Sequence, residues 1–373
     1  MRASTTKNLG PRLRQLQRPK KQVFAFANYG TSLGWSDLNE TFTYNFAPLK
    51  WKFRLRFHFM NAPSSPNVPN HLTRAIDSLQ GLSCGDAFGE RFFLHREVAQ
   101  SLIAQRAIPS NPWRYTDDTA MAISIVEVLE EFGEIDPERL AANLGKRFIA
   151  DPHRGYGQAM HSLLPELAYH PKQWKQLAPQ LFKGKGSFGN GVAMRVAPIG
   201  AYFADDFEAM MKQAHLSASI THSHPEGIAG AIAVALAAAL AWRSKSSPMS
   251  PRQFLEEICE RTPPSEVRLG IGKARDLADD ATAEKAVSIL GNGADVSAQD
   301  TVPFCLWAAA HHRGSYEEAL WTTVSGLGDR DTTCAIVGGI VAMSASVESI
   351  PKIWLESREP LPAWFLYPRP GRS

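Results

Sequence analysis

The sequence predicts an all-α protein with one folded domain of roughly 300 residues, running from His71 to about residue 360. Three observations lead to that class. Nearly every segment beyond His71 that is long enough to judge repeats its apolar residues at helical spacing, and alternating strand patterns are scarce. Of the 373 residues, 44% are hydrophobic, which supplies a large core. No repeat of fixed period runs through the chain.

Taken in order, residues 1–59 hold eleven Lys or Arg against Asp37 and Glu40, a net +9, so a chain whose total is +3 carries −6 in the remainder. This stretch has neither helical nor strand periodicity, and 62–70 adds the Pro, Asn and Ser of a linker. Residues 1–70 are therefore expected to form a basic, poorly ordered extension and linker. A translation start at Met60, an Arg-rich transit peptide and a partner-binding extension are the three readings open for it. In the domain, Met121, Ile125, Val128, Leu129 and Phe132 share one stripe and Gly133 stops the helix. Comparable helices are expected at 138–149, 205–219, 226–243, 251–260, 265–290, 301–312, 316–325 and 332–347.

Composition narrows the function classes. Charged residues make up 21% and the net charge is small, which argues against a specific nucleic-acid partner. Cys84, Cys259, Cys305 and Cys334 show no paired spacing, which fits a reducing compartment and a cytoplasmic location. The apolar run Ile228 to Trp242 is mostly alanine and reads as a buried helix, too short and too weakly hydrophobic to span a membrane.

Five segments carry chemistry. Thr116-Asp117-Asp118-Thr119 and Gly328-Asp329-Arg330-Asp331-Thr332-Thr333 each precede a helix. Capping explains either one alone, because Thr and Asp cap helices and acids favour the positive end of the dipole. Together they could bring four carboxylates and two threonines to one point, a set that repels itself without cations. Mg²⁺ or Mn²⁺ suit such oxygen donors, and a pair of them could hold substrate hydroxyls and acidify a water. Gly184 to Arg195 is glycine-rich and could admit a phosphate, or be a plain turn. Thr221-His222-Ser223-His224-Pro225 offers a ligand contact from one His, or a helix cap. Gly81 to Glu90 closes the first helix with small residues and Asp86, which could touch the ligand or make a structural hydrogen bond.

The order of these segments, G-D-A-x-G, T-D-D-T, G-N-G-x-A-M-R-x-A-P, T-H-x-H-P and G-D-x-D-T, resembles the ADP-ribosylglycohydrolase family. The resemblance implies an orthogonal multi-helix fold over 71–360 with two Mg²⁺ or Mn²⁺ ions in a cleft. It assigns Thr116, Asp117, Asp118, Asp329, Asp331 and Thr332 as metal ligands, with Asp117 or Asp118 as general base. Asp86, Gly189, Asn190, Gly191 and His222 would contact the substrate. That substrate would be an ADP-ribosylated protein, with arginine linkage favoured, or a small ADP-ribose conjugate. An ADP-ribosyltransferase toxin blocked by the chain is the alternative partner.

Two positions depart from the family pattern. Phe93 stands where many members have a Glu seven residues beyond the Asp of G-D-A-x-G, which counts against serine-linked substrates. Arg330 stands where small or neutral residues are usual and is expected to point away from the metals.

Overall fold

The computed structural model describes residues 70–365, and among these it contains helices and turns but no strand beyond two isolated bridges. The expected disorder of residues 1–70 falls on residues outside that span, except that Asn70 already opens the first helix. Helix α1 (Asn70–Glu90) and the short α2 (Arg96–Ala104) precede α3 (Asp117–Phe132), α4 (Pro137–Ala150), α5 (Met160–Tyr169) and α6 (Trp174–Gly184). After the glycine-rich loop come α7 (Ala197–Tyr202), α8 (Phe207–Ser219), α9 (Pro225–Arg243), α10 (Pro251–Arg261), α11 (Glu266–Asp276) and α12 (Ala283–Leu290). The chain then forms α13 (Ala298–His311), α14 (Tyr316–Val324), α15 (Arg330–Ala345) and α16 (Lys352–Ser357).

Local chemistry sets most of the boundaries. Asp136, Asp206, Ser250, Ser265, Thr282 and Ser315 each accept a backbone N–H in the first turn of the helix they open. Gly133 ends α3 at φ +72, a conformation that costs glycine little. The expected helix 265–290 is two helices. Leu277 turns to extended geometry, and Thr282 restarts the helix by accepting from the Lys285 N–H. The short α2, α5, α6, α7 and α16 were not expected. Pro165 and Pro179 interrupt the pattern in α5 and α6, while α7 and α16 have only six residues each, too few for a periodicity to emerge.

Helix α9 is the centre of the core, packed by α7, α8, α13 and α15. It is the buried helix expected from the sequence, although its length and a mean hydropathy of 1.6 in its most apolar window would suffice to cross a membrane, which corrects the expectation that it is too short and too weakly hydrophobic. In this fold 78% of that window is buried inside the protein. The alanines matter here, because small side chains let neighbouring helices approach from several sides at once.

The tightest packing is between α1 and α15. Gly81, Gly85 and Gly89 recur every fourth residue, so they line one face of α1. A Cβ at any of them would collide with the carbonyl oxygens of Gly338, Cys334 and Arg330, which recur at the same spacing on α15. Around this backbone contact Ile336, Val337, Ile340 and Val341 have no exposed surface. Full burial of each such side chain stabilises the fold by roughly 1.5–3 kcal/mol. The contact also fixes where α15 begins relative to the end of α1. Gly85→Val is expected to lower the unfolding free energy by about 3 kcal/mol or more through overpacking against backbone that cannot retreat. A fall in the urea midpoint with an unchanged slope would register it.

Candidate active site

Two helix starts build one wall of a cavity of about 1120 Å³. At the first, Thr116 is the N-cap of α3, and its Oγ1 accepts from the Asp118 N–H at 3.4 Å. Asp117 and Asp118 follow as the first two helical residues and both line the cavity. The Asp117 N–H donates to the Arg154 carbonyl at 2.8 Å. Arg154 is anchored in turn by the Tyr115 carbonyl at 2.7 Å and by both Glu359 oxygens at 3.0 and 2.8 Å. The C-terminal segment straps this approach from outside, since Trp113 N–H reaches the Ser357 carbonyl and Glu359 N–H the Trp113 carbonyl, each at 2.7 Å.

At the second start the capping explanation fails. Asp329 occupies the N-cap position of α15, yet its side chain makes no capping bond. Instead its Oδ2 accepts from Asn190 Nδ2 at 2.7 Å, and the same amide reaches Thr301 Oγ1 at 3.1 Å. Asp329, Asp331 and Thr332 line the cavity with Asp117 and Asp118.

Asp86 sets the position of the first start. It is fully buried and absent from the cavity wall. Its oxygens receive the Thr116 N–H at 3.0 and 3.1 Å, the Thr116 hydroxyl at 2.9 Å, the Thr119 N–H at 3.1 Å and the Thr119 hydroxyl at 2.5 Å. The expected substrate contact is therefore corrected: four donors occupy this carboxylate, which holds the T-D-D-T turn from behind.

The electrostatics of the wall are strained. Burial raises Asp118 and Asp331 well above the ordinary carboxylate value, and neighbouring aspartates raise them further. Asp117 is pushed up to about 8, first by burial and then by the charges of Asp86 and Asp329, with Arg195 opposing. Asp118 Oδ1 and Asp331 Oδ1 are buried without a hydrogen-bond partner among the described residues. The Thr116 hydroxyl lies within 3.0 Å of both Asp86 Oδ1 and Asp118 Oδ2, but its single hydrogen can serve only one. The wall is short of positive charge, as the donor set of a hard divalent cation would be before it binds. Among the described residues no three His, Cys, Asp or Glu side chains already surround one point as ligands. A shell completed by threonine hydroxyls and water fits the donors present.

The glycine-rich loop forms the facing side. Gly189, Asn190, Gly191 and His222 all line the cavity as expected. The loop's N–H groups are partly engaged, Gly189 with Ser187 Oγ at 3.2 Å and Asn190 with the Val296 carbonyl at 3.3 Å. The glycines mainly make room, since a Cβ at 189 or 191 would meet the His222 ring at 3.3–3.4 Å. His224 takes the other role foreseen for the His pair, accepting from the Glu226 N–H at 3.2 Å to cap α9. Phe182 and Phe188 stand at the cavity rim, half exposed, with ring centroids 6.3 Å apart. Neither was expected from the sequence, although one aromatic just before the glycine-rich segment and one within it were a usable signal. Arg330 turns away from the cavity as expected, its guanidinium 5.0 Å from the centre of the Phe93 ring.

The family model for ADP-ribosylglycohydrolase matches residues 67–366, the whole of the described span. The chain belongs to the ADP-ribosylglycohydrolase family. Among its relatives, "ADP-ribosylhydrolase ARH3" from Homo sapiens is 31% identical over 336 residues, covering 77% of this chain and 90% of that protein. The protein of the same name from Bos taurus is 32% identical over 280 residues, covering 66% of this chain and 74% of its own length. A solved structure titled "ADP-ribosylglycohydrolase-related protein complex" shares the fold, with a TM-score of 0.54, 21% identity, and coverage of 78% of this chain and 93% of that one. Family and relatives support hydrolysis of ADP-ribose linkages as the activity of this glycohydrolase, and its all-α architecture agrees with them.

The role of Asp86 in this glycohydrolase is open to measurement. Asp86→Ala leaves two N–H groups and the Thr119 hydroxyl buried without an acceptor, while the Thr116 hydroxyl can turn to Asp118, and a loss of about 3 kcal/mol in unfolding free energy is expected. An unchanged urea midpoint would mean that the turn holds without it.

Proposed function

We propose that the chain hydrolyses the glycosidic bond of ADP-ribose on modified protein side chains, arginine-linked first, or on small ADP-ribose conjugates, with two Mg²⁺ or Mn²⁺ ions. One observation carries this reading: Asp117, Asp118, Asp329 and Asp331 share one cavity wall, and two of their buried oxygens have no partner among the described residues. Thr116, Asp117, Asp118, Asp329, Asp331 and Thr332 would hold the ions. When bound, they would orient ribose hydroxyls and lower the pKa of an attacking water.

The chain's own residues supply the rest. Asp117 or Asp118 accepts the proton of the water that attacks the anomeric carbon, and the remaining carboxylates stabilise the positive charge that develops at the ring oxygen. Phe182 and Phe188 give flat apolar faces for the adenine, and the half-exposed rim leaves it accessible. Arginine linkage is favoured because position 93, where serine-directed relatives would carry a carboxylate, holds a phenylalanine under the Arg330 guanidinium.

Incubation with Mg²⁺ or Mn²⁺ and ADP-ribosylated arginine is expected to release ADP-ribose faster than the same assay on a serine conjugate. Folded protein that releases none from any linkage under either metal would sink the reading. Asp331→Asn is expected to lower turnover by about 100-fold or more with an unchanged far-UV CD spectrum, since the amide removes a charged donor from the wall.

The raised carboxylates also set a pH dependence. A protonated Asp117 favours the metal-free fold below its ordinary value of 3.8, and that contribution is lost as pH rises towards about 8. Metal must displace the same proton. The rise in Tm produced by millimolar Mg²⁺ should therefore grow from pH 5 to pH 8 and level off above it, as read by differential scanning fluorimetry. A metal effect independent of pH would contradict it.

A further inference from the structure

Behind the cavity, Arg195 is completely buried. Its Nη2 donates to the Ser217 carbonyl at 3.2 Å and meets Thr221 Oγ1 at 3.0 Å. Thr221 is also without exposed surface, and its Oγ1 lies 2.8 Å from His222 Nδ1. These three contacts fix the direction of every hydrogen in the chain. A guanidinium has donors only, so Thr221 Oγ1 must accept from Arg195. The hydroxyl's own hydrogen finds no other acceptor among the described residues, and a buried hydroxyl forfeits a hydrogen bond unless that hydrogen goes to Nδ1. Nδ1 is then the bare nitrogen of the imidazole. Burial, helped by the positive charge of Arg195, pushes the His222 pKa down to about 3, so the ring is neutral and carries its one proton on Nε2.

The Nε2 edge faces the ligand space. His222 lines the cavity, and Nε2 has no hydrogen-bond partner among the described residues. The nearest backbone is that of Gly189 and Gly191, where added side chains would press on Nε2 at 3.4 and 3.3 Å. We propose that Arg195 and Thr221 are positioning residues that lock His222 in its Nε2–H tautomer, a neutral donor to a diphosphate oxygen of the ADP-ribose unit. The ligand in this statement rests on the function proposed above, whereas the tautomer does not. A neutral donor has a clear advantage in this place. It binds an anionic oxygen without adding a positive charge beside a wall that must also accept cations. The opposite tautomer would present a lone pair to that oxygen and repel it.

The test reads the tautomer directly. Protein labelled with ¹⁵N-histidine is examined by long-range ¹H–¹⁵N correlation, with the His222→Gln spectrum assigning the ring. The expected pattern has Nδ1 unprotonated and Nε2 protonated, unchanged from pH 5 to pH 8. Thr221→Val should shift the ring towards Nδ1–H and weaken the binding of free ADP-ribose, measured by calorimetry, about tenfold, the scale of one hydrogen bond. Thr221→Ser should restore both. A protonated Nδ1 in the wild-type protein, or an Nε2–H tautomer that survives in Thr221→Val, overturns the relay. If Thr221→Val does not fold, the wild-type spectrum decides the tautomer and Thr221→Ser the role of the hydroxyl. Wild-type protein with the expected tautomer and no affinity for ADP-ribose would overturn the ligand, and the functional reading with it, but not the relay.

Discussion

Like charges buried side by side are the constraint on which this structure turns. Asp117, Asp118, Asp329 and Asp331 come from positions about two hundred residues apart and meet on one cavity wall, the first pair buried and the second half-buried. Such an arrangement forms only if the rest of the fold is rigid enough to hold it. Two devices provide that rigidity. The glycine face of α1 lets α15 approach to backbone contact, which fixes where Asp329 and Asp331 begin. Asp86, on the same last turns of α1, receives four donors from the start of α3 and fixes Asp117 and Asp118. One helix thus positions both halves of the wall, through its missing side chains on one face and a buried carboxylate on another.

The polar groups around the wall divide into those that touch the cavity and those that act through another residue. Asn190 lines the cavity, but its amide is committed to Asp329 and Thr301. Arg195 gives the wall a positive charge from beneath while its donors go to Ser217 and Thr221. This depth of support follows from the low dielectric of the site, where each unpaired group is costly and each satisfied one stiffens its neighbours. Asp118 Oδ1 and Asp331 Oδ1 lie outside that pattern of satisfaction. Carboxylate oxygens on a cavity wall with no partner among the described residues are what a ligand's place looks like from the protein side.

Much of this was legible in the sequence, and the residues explain why. Helix starts are local chemistry, so the start at Thr116 announces itself from a few neighbours. Two short acidic motifs could be paired because each was odd in the same way. What escaped depended on distant partners. No local pattern tells that Asp86 faces Thr116 and Thr119 rather than a ligand, or that Asn190 spends its amide on Asp329. The break at 277–282 was hidden because both flanking segments keep helical periodicity. Helix α9 was legible as a buried helix from its alanine-rich run, although its length and composition alone would also suit a membrane, and its neighbours show that it is core.

The two departures from the family pattern turn out to be a single feature. Arg330 sits between Asp329 and Asp331, and a guanidinium facing the cavity would occupy the charge deficit that the wall maintains. It lies instead over the ring of Phe93. Phenylalanine at that position gives the arginine an apolar and weakly negative face to rest on, which a carboxylate would replace with a direct ion pair. A glutamate at 93 beside Arg330 would be neutralised by it and unavailable for chemistry, so the two residues are mutually consistent. The carboxylate charge of the cavity wall remains concentrated in the two helix starts.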